Sequence, residues 1–99
     1  MLYTVFMSKD LNVSRLCDVY GALLTDHRRE LVREYYDNDL SLAEIAENSG
    51  ITRQAALCSI KQAEKQLKDY EQKLGLAELY RALETELQSL LSVVDTDVE

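Results

Sequence analysis

Proline is absent from this 99-residue chain, tryptophan is absent too, and glycine occurs three times. Without proline no helix is broken by a missing N–H donor, and with so few glycines turns are few. Long helices are the expected element. Cysteine and histidine are as scarce. Cys17 and Cys58 lie far apart with no C-x-x-C, and His27 is the single histidine. That set is too small for a disulfide framework or a zinc site. The expectation is two reduced thiols, no metal and no cofactor, in a cytoplasmic protein. No glycine-rich phosphate loop exists. His27 sits in a helix first turn beside Arg28 and Arg29, with no spaced Cys or Asp partner. No catalytic residue is assigned, and an enzyme is not expected.

Basic charge is in the minority. Eleven Lys and Arg face 18 Asp and Glu, for a net charge of −7. A uniformly basic nucleic-acid coat and a polybasic membrane anchor are excluded. Long apolar runs are missing. The longest, Met1 to Met7, falls far short of the ~20 residues of a spanning helix. It also lacks a preceding basic region and a following small-residue cleavage site, so it makes a poor signal peptide, and no membrane partner is expected. Met7 precedes Ser8-Lys9-Asp10, a polar helix-start composition. Met7 is therefore the expected start, with residues 1–6 an overhang.

What is present is a globular composition, 46% hydrophobic and 29% charged. The length suits one domain with one appended helix. Ser8 or Ser14 caps a first helix ending near Thr25, with Leu16, Tyr20, Leu23 and Leu24 on one face. Thr25 caps a second helix carrying Leu31, Val32, Tyr35 and Tyr36 and stopping near Asp37-Asn38-Asp39. Ser41-Leu42-Ala43-Glu44 is a capping box for a short helix over 42–48, broken by Ser49-Gly50. Thr52 caps the next helix. Ala56, Ile60, Ala63, Leu67, Tyr70 and Leu74 then recur at helical spacing until Gly75. That makes about 22 residues, roughly 33 Å at 1.5 Å per residue. A last helix carries Leu76, Leu79, Leu83, Leu87, Leu90 and Val94 on one stripe, followed by an acidic tail.

The segment 42–61 carries the functional signal. A helix-turn-helix needs a small inward residue on its first helix, a tight turn, an apolar plug and an apolar stripe under its second helix. It also needs a cap that presents the second helix outward. Ala46, Gly50, Ile51, Ala56 with Ile60, and Thr52 fill these places in order. Thr52, Arg53 and Gln54 then stand at the outward start of the second helix. These residue types contact phosphates and base edges. Residues 51–68 hold four basic residues, Arg53, Lys61, Lys65 and Lys68, against Glu64 alone. Beyond a Debye length of about 8–10 Å the acidic remainder is largely screened, so the net charge does not forbid binding.

Several motifs in order resemble the YlxM family of small bacterial helix-turn-helix proteins. They are Tyr20 to Thr25, Glu34 to Glu47, the Thr52-Arg53-Gln54-Ala55 corner, and Lys61, Glu64, Leu67, Tyr70, Glu71, Lys73 and Leu74. The resemblance spans about Leu11 to Leu76. It implies an all-α helix-turn-helix bundle of three to four helices, similar to sigma-factor region four. A long recognition helix and a C-terminal helix complete it. It also implies a dimeric, regulatory, DNA-binding-like protein with a link to the signal recognition particle pathway. The chain departs from the family after the Arg-Gln-Ala corner. Members commonly carry Val-Tyr-Asp-Asn-Ile-Lys-Arg, and here Ala56-Leu57-Cys58-Ser59-Ile60-Lys61-Gln62 stands instead. Leu57 and Cys58 then face outward and offer apolar contact, for example to a thymine methyl.

The expected organisation is an N-terminal extension over 1–10, the helix-turn-helix domain over 11–75, and a dimerisation helix with acidic tail over 76–99. Two functions stay open. One is a homodimeric regulator binding DNA through Thr52, Arg53, Gln54, Leu57, Cys58, Lys61 and Lys65. The other is an interaction module acting on the RNA or the GTPase of the signal recognition particle. The last helix must bury its stripe by folding back on its own chain or by crossing to a partner; a partner is favoured, with a dimer contact combining Leu67, Tyr70 and Leu74 with Leu79, Leu83, Leu87 and Leu90. Tyr20, Tyr35, Tyr36, Tyr70 and Tyr80 fall at or beside core positions, so packing is favoured over base stacking.

Overall fold

The start of the first helix is set by an aspartate. In the computed structural model, which describes residues 10 and 12–97, the Asp10 carboxylate accepts from the Asn12 N–H at 3.0 Å. Its carbonyl accepts from the Val13 N–H. Helix α1 (Asn12–Tyr20) follows and tightens into a 3-10 turn over Gly21–Leu23. Two expectations are corrected here. Ser14 lies inside α1, and its hydroxyl donates to Asp37 at 2.6 Å. The α-helix stops at Tyr20, short of Thr25, and the tighter turn swings Leu23 into solvent while Leu24 is buried. The expected start at Met7 and the alternative cap Ser8 lie outside the described residues. Gly21 permits a close approach at this point: a Cβ there would stand 3.3 Å from Cys17 Sγ and 3.5 Å from Arg29 Cδ.

The remaining helices begin and end at local signals. Thr25 Oγ1 accepts from the Arg28 N–H and starts α2 (Asp26–Tyr36). After α2 the chain turns through Asp39 at φ 59°, a left-handed geometry that Asp tolerates better than most side chains. Ser41 and Glu44 form the capping box of α3 (Leu42–Ser49), with both reciprocal hydrogen bonds present at 3.1 and 3.0 Å. Thr52 Oγ1 accepts from the Ala55 N–H at 3.0 Å and starts the 22-residue α4 (Arg53–Leu74). Gly75, at φ 65°, separates α4 from the 22-residue α5 (Leu76–Asp97). Among the described residues the chain is all-α.

Helix α4 joins two apolar clusters. Its Ala63 and Leu67 pack with Val13, Leu16, Cys17, Tyr20, Leu24, Val32 and Ala77. Its Ala56 and Ile60 pack with Leu31, Tyr35, Leu42, Ile45 and Ala46. Burying each large apolar side chain stabilises the fold by about 1.5–3 kcal/mol relative to exposure. Polar ties lock the helices in register. The Tyr36 hydroxyl donates to Glu64, joining α2 to α4. The Tyr20 hydroxyl donates to Glu71 Oε1 at 2.6 Å and accepts from the Leu76 N–H at 2.9 Å. Glu71 in turn accepts from the Ala77 and Glu78 N–H groups at 3.0 and 3.1 Å. The free N-terminus of α5 is thus satisfied by a carboxylate and a phenol from the body of the protein. Arg15 adds an ion pair to Glu84 at 2.9 Å.

Beyond this elbow α5 leaves the body, and the molecule reaches 59 Å along its longest axis. Tyr80 is exposed on α5, which corrects its expected place in the core. Tyr20 and Tyr35 are buried, and Tyr36 and Tyr70 are half-buried against the clusters.

Candidate nucleic-acid interface

The corner between α3 and α4 is built from the inside outward. Ala46 is buried and small, so α4 can cross close to α3. Gly50 adopts φ 69° and ends α3, with its N–H donating to the Ala46 and Glu47 carbonyls. The Ile51 N–H donates to the Ala46 carbonyl at 3.0 Å, and the Ile51 side chain packs on the second cluster. Ala56 and Ile60 are buried beneath α4. The opposite side of α4 is thereby turned to solvent. Gln54, Cys58, Lys61 and Lys65 are exposed there, while Thr52 and Arg53 are exposed at the first turn, Arg53 on the flank that faces Tyr35, Asp39 and Glu44.

Leu57 is half-buried, with one side packed against the second cluster and part of it still at the surface. Its position on the helix lies nearer Ile60 and Glu64 than Cys58 and Lys65, because successive residues turn by about 100°.

The four basic residues of the segment are unequal. Lys61 lies 3.6 Å from Glu64, and Lys68 lies 3.4 Å from Asp10. Arg53 and Lys65 make no ion pair among the described residues. The Lys68–Asp10 pair is exposed on both sides and worth about 0–1 kcal/mol, whereas the Glu64 carboxylate facing Lys61 is mostly buried and also accepts from Tyr36. The outward face carries Lys61, Lys65 and Lys68 with a thiol and an amide, and Arg53 stands at its N-terminal edge.

One cation beside this face was not legible in the sequence pattern. Arg28, on α2, donates through Nη1 to Gln66 Oε1 at 2.9 Å and through Nη2 to Gln62 Oε1 at 2.6 Å. It shares a shallow cleft with Lys65, Gln62, Gln66 and Asp69. The two glutamines on consecutive turns of α4 were the available signal, but their partner is 34 residues away in the chain. A local pattern cannot supply it.

The expected dimer contact divides in two. Leu67 is 0% exposed within its own core and has no surface left for a partner, which corrects its assignment. Tyr70 is half-buried, with its ring centroid 5.8 Å from that of Tyr20. Leu74, Leu79, Leu83, Leu87 and Leu90 are between 51% and 62% exposed.

The remaining chemistry is plain. Burial raises the pKa of the Cys17 thiol, while Cys58 is exposed. Both cysteines are free. Among the described residues no group of three or more His, Cys, Asp or Glu is placed to hold a metal ion. None of the described helices is long and apolar enough to cross a membrane.

Comparison with known proteins agrees with this architecture. A family model described as "Putative helix-turn-helix protein, YlxM / p13 like" matches residues 7–97. The UPF0122 protein of Symbiobacterium thermophilum is 46% identical over 86 residues, covering 84% of this chain and 80% of that protein. A UPF0122 protein of Clostridium kluyveri is 39% identical over 90 residues, covering 91% and 81%. That of Desulforamulus reducens is 40% identical over 83 residues, covering 84% and 71%. With a small buried alanine, a left-handed glycine turn and an outward second helix in the matched segment, the chain belongs to the YlxM / p13-like helix-turn-helix family.

Proposed function

We propose that the protein is a cytoplasmic regulatory homodimer that binds duplex DNA with the outward face of α4. One observation carries this reading. Arg53 is exposed at the start of α4, between Thr52 and Gln54, and makes no ion pair among the described residues, with Asp39 and Glu44 lining the same cleft. A planar guanidinium and an amide at that place are the groups that read guanine and adenine edges in a major groove. Thr52, Lys61 and Lys65 supply positioning contacts to phosphates. Cys58 supplies an apolar contact.

About three or four phosphate contacts per protomer give weak binding, and log affinity falls with log salt by about 0.9 per contact. Pairing two protomers doubles the contacts. The bare leucine stripe of α5 supports that pairing, because a soluble helix seldom leaves such a stripe uncovered.

The test is fluorescence anisotropy of a labelled mixed-sequence duplex. Wild type is expected to bind in low salt. Arg53→Glu is expected to lose about tenfold or more in affinity, within the range for losing a base or phosphate contact. Equal binding by the two proteins would remove α4 as the interface.

A second reading is an interaction module for the RNA or the GTPase of the signal recognition particle. It is favoured by the poverty of the readout face. With Leu57 half-buried and Cys58 a thiol, Gln54 and Arg53 are the main polar groups left for base edges. Capture of the particle from lysate, with and without nuclease, separates the two. Retention of its protein after nuclease favours the second reading.

A further inference from the structure

We propose, building on the duplex-binding reading of α4, that Arg28 on α2 and Lys65 on α4 form a two-cation cradle for one backbone phosphate. Of the six arginines in the chain, four are held by carboxylates among the described residues. Arg15 pairs with Glu84 at 2.9 Å, and Arg29 with Asp26 at 3.0 Å. Arg33 pairs with Asp18 and Asp37 at 2.8 and 2.7 Å, and Arg81 pairs with Glu78. Arg53 and Arg28 are the exceptions: Arg53 starts α4 on the flank facing Glu44, and Arg28 lies against Gln62 and Gln66 on the other flank.

Arg28 is held in place differently from the other four. Its two contacts, to Gln62 and Gln66, are neutral amide oxygens. They orient the guanidinium and leave its charge uncancelled. Three of the roughly five N–H donors of an arginine remain for a ligand. Lys65 lines the same cleft and has no ion pair among the described residues. A fork of fixed direction beside a mobile point charge suits a phosphate, which offers two adjacent anionic oxygens.

The position along α4 also fits a backbone contact. Lys65 lies about 18 Å beyond Arg53 along the helix axis at 1.5 Å per residue. The major groove is about 12 Å wide. With the first turn of α4 at base edges and the helix axis rising out of the groove, Lys65 stands beyond the groove's width, beside the sugar-phosphate chain. Asp69 lines the cleft as well and opposes the ligand.

The experiment is duplex anisotropy over a salt series with wild type, Arg53→Glu, Arg28→Gln and Asp69→Asn. Arg28→Gln is expected to make the slope of log affinity against log salt shallower by about 1. Asp69→Asn is expected to bind about threefold more tightly in low salt, the scale of one exposed charge at close range. Asp69 is exposed, so that variant folds even where Arg28→Gln shifts the α2–α4 packing. Thermal melting by circular dichroism reports such a shift. If wild type binds, Arg53→Glu fails, and Arg28→Gln and Asp69→Asn both match wild type, the cradle is wrong and the α4 interface stands. If wild type shows no salt-dependent binding to the duplex, the α4 interface is wrong and the cradle falls with it.

Discussion

Helices α4 and α5 are both 22 residues long, and Gly75 joins them. Each carries an apolar stripe at alternating three- and four-residue spacing. In α4 that stripe is buried from Ala56 to Leu67 by α1, α2 and α3. Among the described residues of α5 Ala77, beside the elbow, is the one buried, while Leu79, Leu83, Leu87 and Leu90 stand in solvent. The difference teaches that spacing defines a face and says nothing of what covers it. One face is covered by three neighbours in the same chain, and the other stands exposed.

Truncating each stripe gives the largest contrast. Leu67→Ala is expected to destabilise the protein by about 2–5 kcal/mol in chemical denaturation, through lost burial and a residual cavity. Leu87→Ala is expected to leave the stability of the isolated chain within about 0.5 kcal/mol. Its effect should appear in self-association by sedimentation. If the two variants unfold alike, α5 is packed on the body in solution.

The two glycine turns sharpen the comparison further. Gly50 and Gly75 share left-handed geometry, at φ 69° and 65°, and neither has an atom within 4 Å of an added Cβ. Alanine at either position therefore meets only the backbone penalty, about 1–2 kcal/mol. Melting temperatures should fall similarly for both. Duplex affinity should fall for Gly50→Ala, which tilts the α3–α4 corner, and self-association should fall for Gly75→Ala.

The elbow gives a smaller, pH-dependent effect. The Tyr20 hydroxyl, followed by the Ala77 and Glu78 N–H groups, holds the Glu71 carboxyl below the usual glutamate range. Its ionised form caps α5. The stabilisation is therefore complete above the ordinary value of about 4.3 and fades as pH falls through the lowered native value. Acidification should raise hydrogen exchange at Ala77 and Glu78 before it does so in α4. Glu71→Gln should show this weakened protection already at neutral pH, with little further acid dependence from that position.

The helix boundaries were legible because their causes are local. Thr25, Ser41 and Thr52 cap through their own oxygens, and Gly50 and Gly75 turn the chain through their own φ. The helix-turn-helix corner was legible for the same reason, since Ala46, Gly50 and Ile51 lie within six residues of one another. What escaped depends on distant partners. Ser14 reads as a cap until Asp37 accepts from it across 23 residues. Leu67 reads as a dimer contact until α1 and α2 close over it. Arg28 reads as one more charge in a helix first turn until Gln62 and Gln66 orient it.

The most direct test of the central claim is chemical-shift mapping of the backbone amides as duplex DNA is added in low salt. Thr52 to Lys65 should move in proportion to the DNA, with Arg28 among the shifted residues and the α5 leucines unmoved. Shifts confined to α5, or none at all, would contradict α4 as the nucleic-acid surface.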